Sequence, residues 1–145
     1  MPSASNIDAL IQVFRNLGAL VAQIARKQSA SHASMTKQEL ITIGILGDRG
    51  GCRLGEIAGS LGIGQSAVTP IADRLESTKL IKRTRSEHDR RVWTIELTKK
   101  GLKVFEQENA IYREMATSML EPLNKSEQKT LVQLLSKMET SDLMG

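Results

Sequence analysis

Two adjacent arginines follow a carboxylate in His88-Asp89-Arg90-Arg91, directly before the alternating segment Val92–Leu97. A guanidinium is planar, permanently charged and weakly hydrated, so it makes forked hydrogen bonds to phosphates and suits narrow, electronegative grooves. A carboxylate repels phosphates, so Asp89 calls for another reason. Lying two residues from Arg91, it can accept the hydrogen bonds of that guanidinium and orient it, and an oriented side chain loses less entropy on binding. The plain alternative is a solvated surface ion pair worth at most about 1 kcal/mol.

A second group of polar residues lies on Gln65–Thr78. At helical spacing, Val68, Ile71, Ala72 and Leu75 share one face, and Gln65, Ser66, Thr69, Pro70 and Asp73 share the other. Gln pairs with adenine, Ser and Thr suit phosphates or base edges, and the Thr methyl can touch a thymine methyl. An ordinary amphipathic helix with a small polar face accounts for the same pattern.

These residues need elements to carry them. Ile7, Leu10, Ile11, Phe14, Leu17, Val21, Ile24 and Ala25 recur every three or four positions, which predicts an amphipathic helix over 7–29. A polar break, Ser29–Ser34, follows. Thr36-Lys37-Gln38-Glu39 fits a capping box for a helix running to about Leu46, stopped by Gly47 and Gly50-Gly51. Leu54–Ile81 predicts two short helices around Gly62-Ile63-Gly64, with Ile63 plugging the angle between them. The period then drops to two, which predicts antiparallel strands Ile81–Arg85 and Val92–Leu97 joined by the charged tip. Trp93, Ile95 and Leu97 fall on one side of the second strand, as anchors to the core. Thr98 caps a further helix, which Pro122 ends, and Asn124-Lys125-Ser126-Glu127 caps the last. The fold class is therefore mainly α with a small β-hairpin, a winged helix-turn-helix flanked by helices. A helix has the right width for a DNA major groove, and a basic hairpin tip suits the minor groove.

Composition narrows the rest. The 145 residues carry a net charge of +4, and the bases cluster at Lys79, Lys82, Arg83, Arg85, Arg90 and Arg91, followed by Lys99, Lys100 and Lys103. Length suits a single domain, 1–145. Scarce aromatics argue against a single-strand stacking platform. One cysteine, Cys52, excludes an internal disulfide and fits a reducing compartment. MPSASNIDAL does not resemble a secretory leader, and Leu40–Gly47 is too short to span a bilayer. These features predict a cytoplasmic protein without a membrane partner.

The wing sequence Asp89-Arg90-Arg91-Val92-Trp93-Thr94-Ile95-Glu96-Leu97-Thr98-Lys99-Lys100-Gly101 resembles the Asp-x-Arg … Leu-Thr-x-x-Gly signature of MarR family transcriptional regulators. Leu54-Gly55-Glu56-Ile57-Ala58, Leu61-Gly62-Ile63, Ser66-Ala67-Val68-Thr69 and Asp73-Arg74-Leu75-Glu76 are similar to that family's helix-turn-helix, in the same order and spacing. The resemblance covers nearly the whole chain. It implies a DNA-binding lobe over 36–97 and a helical dimerisation region over 5–29 and 98–145. By position it implies that Ser66, Thr69 and Arg74 contact DNA, that Arg91 is the wing arginine braced by Asp89, and that Arg90 meets phosphate. Two departures stand out. Pro70 occupies a position that is often basic in the family, which predicts a helix that starts late or bends. Arg53 stands where a capping Ser or Thr is usual.

Other chemistry is poorly provided for. Two distant histidines, His32 and His88, and one cysteine do not compose a metal site. Cys52 reads either as a peroxide-sensing thiol near Arg49 and Arg53 or as a small buried residue. Met115 and Met119 suit core packing or an adaptable pocket. No nucleophile motif or phosphate loop marks an enzyme, and no cofactor is expected. The expected function is a homodimeric regulator on double-stranded DNA, a ligand-responsive repressor binding a pseudo-palindrome. Its effector would be a small apolar or aromatic acid, at a site the sequence does not identify. The alternative is a winged-helix protein-interaction module without DNA readout.

Overall fold

A computed structural model describes residues 1–27 and 34–139. The expected polar break, including His32, lies outside the described residues apart from Ser34. The elements in chain order are α1 (Ala4–Lys27), α2 (Lys37–Arg49), α3 (Leu54–Leu61), α4 (Gln65–Ser77), β1 (Ile81–Arg85), β2 (Trp93–Leu97), α5 (Lys99–Leu120) and α6 (Lys125–Glu139). They form two compact units, Ser31–Asn109 and Met1–Ala30 with Ala110–Gly145.

In the first unit, Ile43, Leu46, Ile57, Val68, Leu75 and Ile95 form the centre of one core. Helix α2 begins at the expected capping box: Thr36 Oγ1 accepts the Glu39 N–H at 3.1 Å and Glu39 Oε2 accepts the Thr36 N–H at 3.3 Å. The helix does not stop at Gly47, as the sequence suggested, but runs to Arg49 and ends at Gly50, whose φ is +78°. Gly47 is small for packing reasons. A Cβ there would collide with the Phe105 ring on α5.

Helix α3 lacks a side-chain acceptor at its N-cap, because the Arg53 guanidinium only donates. Glu56 supplies half of a cap, its Oε1 accepting the Arg53 N–H at 3.0 Å. Gly62, at φ +67°, turns the chain into α4. Contrary to the late start expected from Pro70, α4 begins at Gln65, five residues ahead of the proline. The proline removes the bond to the Ser66 carbonyl only, and burial of Val68, Ala72 and Leu75 holds the helix across that gap.

The end of α4 is a Schellman motif. Leu80 N–H bonds the Leu75 carbonyl at 2.9 Å and Lys79 N–H the Glu76 carbonyl at 2.9 Å. Lys79 fills the left-handed position at φ +61°. Strands β1 and β2 pair antiparallel, Ile81 opposite Leu97 through Arg85 opposite Trp93. Cys52 adds a bridge on the far side of β2, donating to the Ile95 carbonyl at 3.0 Å and accepting from its N–H at 2.7 Å.

Thr98 then caps α5, its Oγ1 accepting the Gly101 N–H at 3.1 Å and donating to the Lys79 carbonyl at 2.6 Å. Gly101 and Val104 are buried in this unit, so the first turns of α5 belong to the lobe. The lobe thus continues to Asn109, past the boundary expected at Leu97, because Thr98 and Gly101 tie the helix to the end of α4.

The second unit comprises α1, the latter half of α5, and α6. Asn124 caps α6 reciprocally with Glu127, at 3.0 and 2.9 Å. In α1 only Ile24 is buried, whereas Ile7, Leu10, Ile11, Val13 and Phe14 are 40–62% exposed. By length and composition alone α1 would suffice to cross a membrane, which the sequence reading missed because polar residues interrupt its apolar positions. Asn6, Gln12, Asn16 and Gln23 interleave with the apolar residues, making the helix two-faced rather than apolar all round.

Candidate nucleic-acid interface

The first unit presents two exposed features. On α4, Gln65, Ser66, Thr69, Pro70 and Asp73 are all exposed, while Val68, Ala72 and Leu75 face the core and Ile71 is half-buried. That division follows the helical spacing. The Gln65 amide lies against α3, 2.7 Å from where a Gly55 Cβ would stand. Thr69 Oγ1 donates to the Gln65 carbonyl at 3.1 Å, which leaves its lone pairs and methyl outward.

The second feature is the hairpin tip. The Ser86 N–H meets the Val92 carbonyl at 2.9 Å and the Val92 N–H the Asp89 carbonyl at 3.0 Å. Asp89 Oδ1 accepts the backbone N–H of Arg91 at 3.0 Å. The brace expected from the sequence therefore exists but grips a different group, the Arg91 backbone rather than its guanidinium. Two residues are too few for the long arginine side chain to fold back comfortably, while an Asx-type turn forms readily at that spacing. Arg90 and Arg91 are exposed, and among the described residues neither guanidinium has an ion-pair partner.

Several other bases of the cluster have partners. Arg85 stacks over the Trp93 ring, 4.9 Å from its centroid. Trp93 is 48% exposed and lies at the outer end of the hairpin, so it does not anchor the hairpin with Ile95 as expected. Ile95 does this from within the core, and Leu97, half-buried, packs against the same core as expected. Lys100 Nζ donates to the Thr78 carbonyl at 3.0 Å.

Arg74, whose side chain is 62% exposed, donates from Nη1 to Glu39 Oε1 at 2.8 Å. The Glu39 side chain is 5% exposed. A buried carboxylate needs a partner, and Arg74 on α4 provides it, tying α4 to the first turn of α2. Arg83 on β1 grips α4 from another element, with Nη2 2.6 Å from Asp73 Oδ1 and Nε 2.6 Å from Glu76 Oε2. Neither pairing was foreseen from the sequence. The signals available were a capping Glu inside an apolar segment and carboxylates at i and i+3 on one helix.

Cys52 is buried, its Sγ 3.7 Å from the Gly50 carbonyl. Burial, and secondarily the Glu56 charge, pushes its thiol pKa upward against an opposing pull from Arg49. That environment is the reverse of a reactive thiolate's.

Residues 35–93, from α2 to the start of β2, match the family model described as MarR family. The HTH-type transcriptional repressor MdtR of Bacillus subtilis is 36% identical over 109 residues, spanning 74% of this chain and 69% of MdtR. The chain belongs to the MarR family. This is a family of transcriptional regulators and not of enzymes. Among solved structures, RV1404 from Mycobacterium tuberculosis superposes with a TM-score of 0.75 at 28% identity, over 97% of this chain and 95% of RV1404. Streptococcus pneumoniae FabT, crystallised in complex with DNA, shares the fold with a TM-score of 0.78 at 22% identity, over 94% of this chain and 95% of FabT. In MarR family terms, α3 and α4 are the helix-turn-helix pair and β1–β2 is the wing.

Proposed function

We propose that this MarR family protein is a homodimeric, sequence-specific regulator of double-stranded DNA, acting as a ligand-responsive repressor on a pseudo-palindromic operator. The observation that carries this reading is the lobe's combination of an exposed polar α4 face with a wing tip whose two guanidinium groups have no ion-pair partner among the described residues. Helix α4 would enter the major groove, with Gln65, Ser66 and Thr69 toward base edges and Pro70 offering only a van der Waals surface. Arg91 would enter the flanking minor groove and Arg90 would meet phosphate. Arg74, held by Glu39, would act on DNA chiefly by fixing α4. FabT, of the same fold, has been crystallised with DNA.

The dimer is supported by the exposed apolar side chains of α1 and by Val132, Leu134 and Leu135 on α6, 43–53% exposed. Apolar surface on this scale is normally covered, and a second copy would bury it along a two-fold axis. Two recognition helices would then meet half-sites about one helical turn apart, roughly 34–36 Å. A cytoplasmic location accords with this role. Repression is suggested by the relative MdtR, named a repressor. For an effector, the lobe offers a cavity of about 470 Å³ lined by Met35, Leu80 and Val104 with Arg74 and Lys100. Glu39 also lines it and pairs with Arg74, which leaves the Lys100 charge among apolar walls to receive a small apolar acid.

The test is selection of duplexes from a random DNA library, then anisotropy titration of the enriched duplex across a salt series. The expected result is a pseudo-palindromic consensus and a log–log salt slope of about −0.9 per neutralised phosphate. Absence of any enriched sequence overturns the proposal in favour of a protein-interaction module.

A further inference from the structure

Arg83 sits on β1, the strand that leads from the recognition helix into the wing. Its Nη2 lies 2.6 Å from Asp73 Oδ1 and its Nε 2.6 Å from Glu76 Oε2. The two carboxylates stand three residues apart on α4 and so share one face. One planar guanidinium thus spans a turn of the helix from the neighbouring strand. Its side chain is 35% exposed and lines an apolar cavity with Leu54, Trp93 and Ile95, so its stem is packed while its head is bridged.

We infer that Arg83 is a positioning residue that sets the angle between recognition helix and wing, and that Asp73 and Glu76 serve DNA binding by holding Arg83. The inference rests on the DNA-binding reading above. Exposed ion pairs add little to folding stability, so the consequence to look for is geometric. Only the left-handed Lys79 and its neighbour Leu80 separate α4 and its cap, Thr78, from β1. Such a short connection leaves torsional freedom, which a fork with two fixed partners removes. Arg74 and Glu39 fix α4 to α2, and the Arg83 fork fixes the wing to α4, so groove-reading helix and wing become one rigid reader. A base already neutralised by two carboxylates contributes little to phosphate attraction.

This separates clamp from charge. Asp73→Asn and Glu76→Gln each remove a negative charge beside the DNA-facing helix. Electrostatics alone makes such variants bind DNA more tightly. The clamp makes them bind more weakly.

The experiment compares parent, Asp73→Asn/Glu76→Gln and Arg83→Gln on the duplex enriched by the parent, across a salt series. Hydrogen exchange of β1 amides is measured on the same proteins without DNA. The expected result is an affinity loss of about tenfold for both variants on a two-site duplex, roughly threefold per half-site, with the salt slope unchanged and faster β1 exchange. Affinity equal to or above the parent's for the double variant overturns the clamp. So does a salt slope reduced by about 0.9 per subunit in Arg83→Gln, which would make Arg83 a phosphate contact. If the parent enriches no duplex, the functional reading fails on its own. The exchange data still decide the clamp: unchanged β1 exchange overturns it and accelerated exchange upholds it.

Discussion

Asp89 holds Arg91 by its backbone N–H, at 3.0 Å, and not by its guanidinium. An amide oxygen can accept that bond as well as a carboxylate can, and it does not repel phosphate. Asp89→Asn should therefore bind DNA at least as tightly as the parent. Asp89→Ala should lose about 1 kcal/mol per subunit, the net worth of one hydrogen bond that orders the turn. A guanidinium brace would predict the reverse order for Asn, since its neutral oxygen grips an arginine less well. Anisotropy titrations of the two variants at moderate salt decide between them, and Arg91→Ala should be weaker than either.

Gly101 faces the Leu80 carbonyl so closely that a Cβ would lie 2.0 Å from its oxygen. The neighbour is backbone already bonded to the Thr98 N–H at 3.1 Å, so it cannot swing aside. Gly101→Ala should destabilise the protein by about 1–3 kcal/mol or more, the range of an overpacked core. Gly59→Ala is the matched control. It has open space around its Cβ position and should gain roughly 0.5–1 kcal/mol in helix α3. Urea midpoints of the two variants should move in opposite directions.

Lys79 adopts a left-handed conformation that a side chain disfavours by about 1–2 kcal/mol. Its side chain is exposed and its Schellman bonds are made by backbone. Lys79→Gly keeps those bonds and removes the strain, offset by roughly 0.5–1 kcal/mol of extra unfolded-chain entropy. A net gain of up to about 1 kcal/mol is expected, with Lys79→Ala near neutral. Equal melting temperatures for the glycine and alanine variants would show that the strain is absent.

Many of the elements were legible because each carries a local signal. Thr36 with Glu39 and Asn124 with Glu127 announce helix starts, Gly62 announces a turn, and the change of period after Ile81 announces strands. What stayed hidden depends on contacts between distant residues. Gly47 reads as a helix stop until Phe105 is found against it, and Arg74 reads as a free base until Glu39 is found buried beneath it. Trp93 alternates correctly with Ile95, yet the strand extends beyond the core, so the same parity gives one buried residue and one exposed. Pro70 misled in the other direction. Its local cost was read correctly, but the buried residues around it on α4 outweigh one missing hydrogen bond.

Cys52 gives a prediction with a definite sign. Its folded-state pKa is raised, first by burial and then by Glu56, above the value near 8.5 of a thiol in an unfolded chain. The folded state therefore holds the thiol proton more tightly than the unfolded state does. Below about pH 8.5 both states are protonated and the group has no influence on stability. Above it the unfolded chain ionises first, so stability falls as pH rises toward the folded pKa. The readout is the difference between the parent and Cys52→Ala. Urea midpoints from pH 7 to 10 should fall more steeply for the parent, while native-state labelling by a thiol reagent at pH 7 stays far slower than in urea. Rapid native labelling, or loss of DNA binding on mild peroxide treatment that Cys52→Ala prevents, would instead make the thiol a sensor.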